Sequence, residues 1–294
     1  MKTALPGAPT RTNLKATMPE GPEVHIEAAR IVHNVGLGQR VEVSIDYEPI
    51  KNVDPSPTKL ETVQAFGKAI VLSFAGSQSL YSHNQLYGKW CFSDDRNYWW
   101  FRNRTRRLRL ESNIGWAELY SASSVEWLDS KTIMEHPYIK RLGPDALDDK
   151  TNVEDVKNQL QNPKFRNRSL HTLLLDQSFV AGLGNYLRSE ILFRTSLAPT
   201  LRPKDLNTFE LEILAEEILK APRGSVANPG LTLDLELQKW LIKNYRVTRS
   251  DKRFWVFARE GKPCWLCSEK IIKIELSSRR LYMCPNCQSL ERNL

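Results

Sequence analysis

The run Met18-Pro19-Glu20-Gly21-Pro22-Glu23 sets a proline, a carboxylate and a helix start beside a methionine that could initiate a chain. If Met18 is the start and is removed, Pro19 carries a free secondary amine. An α-amino group has a reference pKa of about 8 against about 10.4 for lysine, so far more of it is unprotonated and nucleophilic near neutral pH. Attack of a secondary amine on a sugar C1′ gives a cationic iminium directly, which is an electron sink. Glu20, the next residue, is placed to move protons on the same sugar. An ordinary helix entry accounts for the same residues, because proline suits the first turn and acids suit the helix N-terminus. On this stretch alone the ordinary entry is favoured.

A second chemical pattern lies near the C-terminus. Four of the five cysteines form two Cys-x-x-Cys pairs, Cys264/Cys267 and Cys284/Cys287, separated by sixteen residues. That spacing fits a four-cysteine zinc site in a reducing compartment better than a secreted disulfide framework. Between the pairs, Ile271 to Leu276 and Leu281 to Met283 alternate like hairpin strands, with Ser277-Ser278-Arg279-Arg280 at the turn. A hairpin this small has no core of its own, so zinc would make it rigid and hold two arginines at its tip for a phosphate. A zinc ribbon used for protein contacts is the structural alternative. Cys91, alone in a strand-like run, reads as packing.

The chain has 294 residues, room for two cored domains, and a net charge of +8, which favours a polyanionic partner. Lys2, Arg11 and Lys15, with no acid before Met18, leave the remainder at +5, a charge many proteins reach without touching nucleic acid. Residues 1 to 17 lack the continuous apolar core of a secretory signal, and their Pro, Gly and Thr content reads as a disordered leader, removed or created by a misassigned start. A short organelle-targeting sequence is the other reading. No transmembrane segment is visible.

From Pro22, the spacing of Val24, Ala28, Ile31 and Val32 predicts one amphipathic helix ended by Gly36 and Gly38. Short β-type runs follow over Arg40 to Tyr47, Thr62 to Phe74, Leu80 to Phe92, Trp99 to Leu110 and Ile114 to Ser121. Their spacing suits an antiparallel sandwich or barrel with the first helix beside it. Within these runs, Gly67-Lys68 permits close backbone approach and offers a lysine to a phosphate or base, although a strand lysine is usually just solvated. Tyr81-Ser82-His83-Asn84-Gln85-Leu86-Tyr87-Gly88 reads as a loop leaving a strand. Gln85, Leu86 and Tyr87 combine a base-edge hydrogen bonder with two apolar wedges, the kit that fills a gap in stacked DNA. A turn with a tyrosine anchor and a structural His83 is the plain alternative. Arg102, Arg104, Arg106, Arg107 and Arg109, among Trp99, Trp100 and Phe101, suit either a phosphate-facing edge or a blunted sheet edge.

After Trp127 the composition shifts. His136-Pro137 and Arg141-Leu142-Gly143-Pro144-Asp145 read as a hinge, and helical spacing follows over Val153 to Gln161, Leu170 to Gln177, Tyr186 to Phe193 and Leu206 to Leu219. Gly182-Leu183-Gly184-Asn185 separates two of these helices, and Asn185 would cap one whose free N–H groups can receive a phosphate. The pair reads as a helix-two-turn-helix clamp or as a routine αα corner. Leu231 to Ile242 could be helical, and Tyr245 to Lys252 reads as mobile and basic.

Taken together, Met18 to Glu23, Phe66-Gly67-Lys68, Tyr81 to Gly88, Phe165-Arg166-Asn167-Arg168, Leu173 to Leu187 and the cysteine hairpin resemble the formamidopyrimidine-DNA glycosylase and endonuclease VIII family, over nearly all of the chain from Met18 to Gln288. Ser82 to Gly88 and Leu276-Ser277-Ser278-Arg279 are similar to its bacterial endonuclease VIII branch. The resemblance implies an α+β multidomain fold: an N-terminal catalytic β-sandwich with a flanking helix (18–142), a helix-two-turn-helix DNA-binding domain (143–256) and a zinc-binding β-hairpin (257–294). It implies a monomeric, cytoplasmic base-excision-repair glycosylase with AP lyase activity and one structural zinc, acting on double-stranded DNA with oxidised bases or abasic sites. Oxidised pyrimidines are the expected substrates, with oxidised purines the alternative in the same family.

By position, the resemblance makes Pro19 the Schiff-base nucleophile, Glu20 the proton donor at the sugar, Lys68 the general acid of β-elimination, and Arg279 the residue acting on the δ-elimination phosphate. Gln85, Arg141 and Asn185 match DNA-contacting positions, Leu86 and Tyr87 join Gln85 in the vacated stack, and His83 belongs to the same DNA-facing run. A peptide bond from Met18 would cap the Pro19 amine and leave a damaged-DNA binder without chemistry. The segment from Ser225 to Lys252 does not line up with the family pattern, and no role is carried onto it.

Overall fold

Helix α1 (Gly21–Val35) forms because Val24, Ala28, Ile31 and Val35 recur on one face and are all buried. At its start Glu23 Oε2 accepts the Glu20 N–H at 3.0 Å, and at its end Gly36, at φ 83°, donates to Val32 O. The protein is described by a computed structural model, which defines residues 19–55, 58–95, 103–244, 247 and 251–289. Residues 1 to 18, with the leader and Met18, as well as Trp99, Trp100, Phe101, Arg102 and Tyr245, lie outside the described residues.

Among the described residues eight antiparallel strands follow: β1 (Arg40–Ile45), β2 (Thr58–Phe66), β3 (Ala69–Phe74), β4 (Gln78–His83), β5 (Lys89–Phe92), β6 (Arg106–Glu111), β7 (Trp116–Tyr120) and β8 (Ser124–Asp129). Their order is β5-β7-β6-β1-β2-β3-β4-β8. Only Arg40 and Val41 of β1 pair with β2, opposite Lys59 and Thr58, so the array folds over at that corner into a sandwich. Leu60, Leu72, Phe74 and Leu80 from one half meet Trp90, Phe92, Leu108 and Leu119 from the other, and α1 closes the core.

Three strand expectations change, one of them the run from Leu80 to Phe92, which is β4 and β5 with the loop from Asn84 to Gly88 between them. The run from Thr62 to Phe74 is not one strand but β2 and β3, because Gly67 takes φ 59° and turns the chain at Gly67-Lys68, which places Lys68 at a turn. The sequence reading also missed β8, which pairs with β4 from Gln78↔Asp129 to His83↔Ser124 and stacks Trp127 on Phe74 at 5.4 Å.

The segment read as a hinge is pinned on both sides. It contains the one-turn helix α2 (Pro137–Lys140). Gly67 N–H donates to Asp145 Oδ2 at 2.7 Å and Lys68 N–H to Tyr138 Oη at 3.0 Å, while Gly143 N–H donates to Gln177 O at 2.9 Å.

The second half contains α3 (Val153–Gln161), α4 (Leu170–Leu173), α5 (Asn185–Arg194), α6 (Thr208–Ala227) and α7 (Leu235–Asn244). Asn152 and Asn207 cap α3 and α6, accepting from Asp155 N at 3.1 Å and Glu210 N at 2.9 Å. The α4 helix stops short of the predicted Gln177, whereas α6 runs past Leu219 through Pro222. Helix α5 is buried from Tyr186 to Phe193, so it is the axis around which this half packs. Strands β9 (Ile272–Leu276) and β10 (Arg279–Met283) pair with Arg279 opposite Leu276. The turn is therefore Ser277-Ser278, both at positive φ, and the two arginines begin the strand after it. Leu281 enters the helical core, and Tyr282 N–H reaches Ser189 Oγ on α5.

Candidate active site and metal centre

Helix α5 needs acceptors for the N–H groups of its first turn, and they come from the other end of the chain. Glu20 Oε1 accepts from Tyr186 N at 2.7 Å and Oε2 from Leu187 N at 3.2 Å. This corrects the expectation for Asn185, which is the first residue of α5 rather than its cap. Two of the N–H groups assigned to a phosphate are taken by Glu20. The docking requires glycine at two places: a Cβ on Gly184 would run into the Glu20 carboxyl, and one on Gly21 would meet Gly182 Cα at 2.8 Å. Gly21 N–H also donates to Gly182 O at 2.8 Å.

Around this contact lies a cavity of about 630 Å³ lined by Pro19, Glu20, Lys68, His83, Gln85, Leu86, Asn185 and Arg279. Leu175, Gly184, Ser278 and Arg280 complete the wall. All four residues expected to carry the chemistry therefore share one cavity, although their positions run from 19 to 279. Arg141 and Tyr87 do not line it. Arg141 is exposed at the end of α2, its guanidinium 5.2 Å from the Tyr138 ring, and Tyr87 points outward at 65% exposure.

Burial pushes the Glu20 carboxyl up to about 7, with Glu23 pushing the same way, while Lys68 and the two α5 N–H groups oppose it. A carboxyl titrating there can both give and take a proton near neutral pH. Burial also lowers the Lys68 ammonium, helped by the like charge of Arg279 and opposed by Glu20 and Glu23. The pair is thus held closer to sharing a proton than free side chains would be.

The loop after β4 keeps its two apolar tips in solvent, with Leu86 at 44% exposure. Gln85 takes φ 49°, and its N–H donates to His83 Nδ1 at 3.1 Å. His83 therefore serves as an acceptor for the loop backbone, and burial together with Lys68 and Arg141 pushes its pKa down to about 4, so it is neutral and adds no cation for a phosphate.

The described arginines of the basic stretch are used inside the protein. Arg104 donates to Tyr87 O, Arg106 binds Asp46 and Glu118, Arg107 lies over Tyr47 and donates to Ala122 O, and Arg109 binds Glu111 and Glu118. Arg106 and Arg109 are thus held by carboxylates of the sheet, whereas Arg104 and Arg107 each give one donor to a backbone carbonyl.

Sequence reasoning missed Arg188. Its guanidinium is fully buried in α5 and donates to His171 O at 3.0 Å, Asn185 Oδ1 at 2.6 Å and Arg280 O at 2.7 Å. It ties the start of α5 to the hairpin that carries Arg279. With its Oδ1 engaged, Asn185 keeps its Nδ2 as a donor at the cavity wall. Glu190, also buried, accepts from the N–H groups of Trp255, Val256 and Phe257, each at 2.9 Å, and from the Thr232 hydroxyl. The available signal was Arg188-Ser189-Glu190 between apolar neighbours, polar residues in a helix with no wet face.

The Sγ atoms of Cys264, Cys267, Cys284 and Cys287 lie within 4.8 Å of one another. Three of the separations are 3.9, 3.4 and 3.5 Å. A tetrahedral zinc with Zn–S of about 2.3 Å needs S···S separations of about 3.8 Å, so these four sulfurs fit a metal. Backbone N–H groups of Leu266 and Cys287 point at sulfurs at 3.4 Å, as suits thiolates.

Comparison with known proteins bears on the family and the fold. The family model of the formamidopyrimidine-DNA glycosylase H2TH domain matches residues 142–234. Endonuclease 8 from Shigella sonnei (strain Ss046) and from Escherichia coli O9:H4 (strain HS) are each 38% identical over 283 residues, covering 92% of this chain and 100% of the relative. Among solved structures, Lactococcus lactis Fpg (MutM) bound to DNA containing an oxidised pyrimidine superposes with a TM-score of 0.72 at 19% identity, covering 92% of this chain and 100% of that one. The same protein bound to DNA containing N7-benzyl-Fapy-dG gives 0.73 at 20%, with the same coverage. The structural likeness carries the fold, the sequence relatives carry the family, and the chain belongs to the formamidopyrimidine-DNA glycosylase and endonuclease VIII family of base-excision-repair DNA glycosylases with AP lyase activity.

Proposed function

We propose that this chain removes oxidised pyrimidines from double-stranded DNA and cuts the strand through a Schiff base on Pro19. The observation that carries the reading is the meeting of Pro19, Glu20, Lys68 and Arg279 around one cavity beside an exposed Gln85-Leu86-Tyr87 loop. The damaged nucleotide is turned out of the stack at a cost of a few kcal/mol, and the three loop residues occupy the gap.

With its nitrogen free after removal of Met18, Pro19 attacks C1′. The C1′–N bond to the base breaks, the base leaves with the electron pair, and Glu20 delivers the proton that opens the sugar to the iminium. Loss of a C2′ proton then expels the 3′ phosphate, with Lys68 as the acid of β-elimination. A second elimination expels the 5′ phosphate, which Arg279 meets from the hairpin tip. Hydrolysis of the imine regenerates the amine.

Asn185 Nδ2 and Arg141 contact the DNA backbone in this reading. Cys264, Cys267, Cys284 and Cys287 would hold one zinc, which would supply rigidity to the hairpin. The chain is read as three parts, 18–142, 143–256 and 257–294, with the hairpin of the third packed on the helical core of the second through Leu281.

Borohydride trapping on an abasic duplex tests the reading. A covalent adduct through Pro19, greatly weakened or abolished in Pro19→Gly, is expected. An adduct of undiminished yield in Pro19→Gly, or its absence from a chain shown to begin at Pro19, refutes it.

A further inference from the structure

Helix α1 begins two residues after Pro19 and carries Glu27 one turn beyond Glu23. Glu27 Oε2 accepts from Asn84 Nδ2 at 2.6 Å. We propose that Glu27 is a positioning residue for DNA binding, holding the Gln85-Leu86-Tyr87 loop at a fixed distance from the nucleophile through Asn84. The proposal rests on the reading of that loop as the one that fills the gap in the stack.

Asn84 is 3% exposed, and among the described residues its Oδ1 is buried with no hydrogen-bond partner. An amide kept inside with one end unmatched costs stability, so what its other end does has to offset that cost. The loop itself is not relaxed: Gln85 sits at φ 49°, a conformation disfavoured for a residue with a Cβ. Its remaining bonds run to its own neighbourhood or to the sheet, as Gly88 N to Asn84 O, Gln85 N to His83 Nδ1 and Arg104 to Tyr87 O. The Glu27–Asn84 bond runs instead to the helix that starts at the catalytic residues. Wedge and nucleophile thereby move as one body, and a wedge that enters the stack brings C1′ to Pro19.

The test uses a duplex carrying a tetrahydrofuran abasic analogue opposite 2-aminopurine, whose fluorescence rises when wedge insertion unstacks it. The full chain, Glu27→Ala and Glu27→Gln are compared. Glu27→Ala is expected to bind this duplex roughly tenfold more weakly, the loss of one charge-assisted bond, with a smaller fluorescence rise. Glu27→Gln, which keeps an oxygen for Asn84 Nδ2, is expected to recover most of both. Binding to an undamaged duplex and to a single-stranded tetrahydrofuran oligonucleotide, which have no gap to fill, is expected to match wild type in both variants.

An undiminished fluorescence rise in Glu27→Ala overturns the proposal. So does an equal loss on all three DNAs, which would make Glu27 a fold residue only. If Glu27→Ala does not fold, Glu27→Gln decides: fluorescence as weak as that of bare DNA overturns the proposal. A wild type that leaves 2-aminopurine stacked removes the wedge reading and the proposal with it. Failure of the Pro19 reading is seen separately, as a missing borohydride adduct, because the fluorescence arm needs no covalent step.

Discussion

Changing Gly184 to alanine places a methyl group against the Glu20 carboxyl, whose carboxyl carbon, Oε1 and Cγ are the nearest atoms to the added Cβ. The backbone there, at φ −144° and ψ −155°, is extended and open to alanine, so the penalty comes from the collision rather than from strain. The carboxyl has to leave Tyr186 N and Leu187 N, which it holds at 2.7 and 3.2 Å. Two such bonds to a charged group, one of them long, are together worth about 2–4 kcal/mol. If Glu20 must sit there to protonate the sugar, that loss lowers turnover about 30- to 1000-fold. The assay is single-turnover cleavage of an abasic duplex, with binding of undamaged duplex as the control for fold. A double-mutant cycle isolates the cause: in a Glu20→Ala background the Gly184→Ala change should cost almost nothing further. Turnover by Gly184→Ala close to that of wild type, or a full additional loss in the Glu20→Ala background, refutes the role given to this contact.

Other outcomes follow from the same geometry. Glu20 and Glu27, both pushed up to about 7 mainly by burial, keep protons in the folded chain that the unfolded chain releases near pH 4.5. Stability should therefore fall as pH rises from about 4.5 through 7, and urea titrations should show that slope reduced in Glu20→Gln. Arg279→Ala should retain the β-elimination product and lose most of the δ-elimination product on denaturing gels, since the exposed arginine lines the cavity without supporting the fold. Cys264→Ser, or chelation, should release one zinc per chain by metal analysis and weaken lesion-duplex binding while the melting of the sandwich core is retained. Arg188→Met should destabilise the chain by about 2–4 kcal/mol in urea, because it removes three hydrogen bonds from a buried guanidinium and strands the His171 carbonyl, and should also loosen the hairpin.

What could be read in the sequence was local. The cysteine pairs, the helical spacing of α1 and α3, and the wedge loop each depend on residues a few positions apart, and backbone geometry brings such neighbours together in any fold. The juxtaposition of the Pro19 nitrogen with a carboxylate was legible for the same reason, since the two need only one peptide unit. The division of Thr62 to Phe74 was not legible, because a β-type run through Gly67-Lys68 continues or turns according to what packs on it, and here Asp145 and Tyr138 take the turn's N–H groups. Nor was β8, whose short run becomes a strand only when β4 offers it an edge.

The active site depends on longer reach still. Glu20 caps a helix that begins 165 residues later, Arg188 reaches across 92 residues to the hairpin, and Glu27 meets Asn84 across 57. Sequence alone therefore determined which groups could react and which could bind metal. Only the tertiary structure decided the environment that gives Glu20 a carboxyl near 7, a lowered Lys68 ammonium and an Asn185 that lines the cavity rather than caps a helix. Burial and the identity of a distant partner set those properties, and neither is a function of neighbouring residues in the chain.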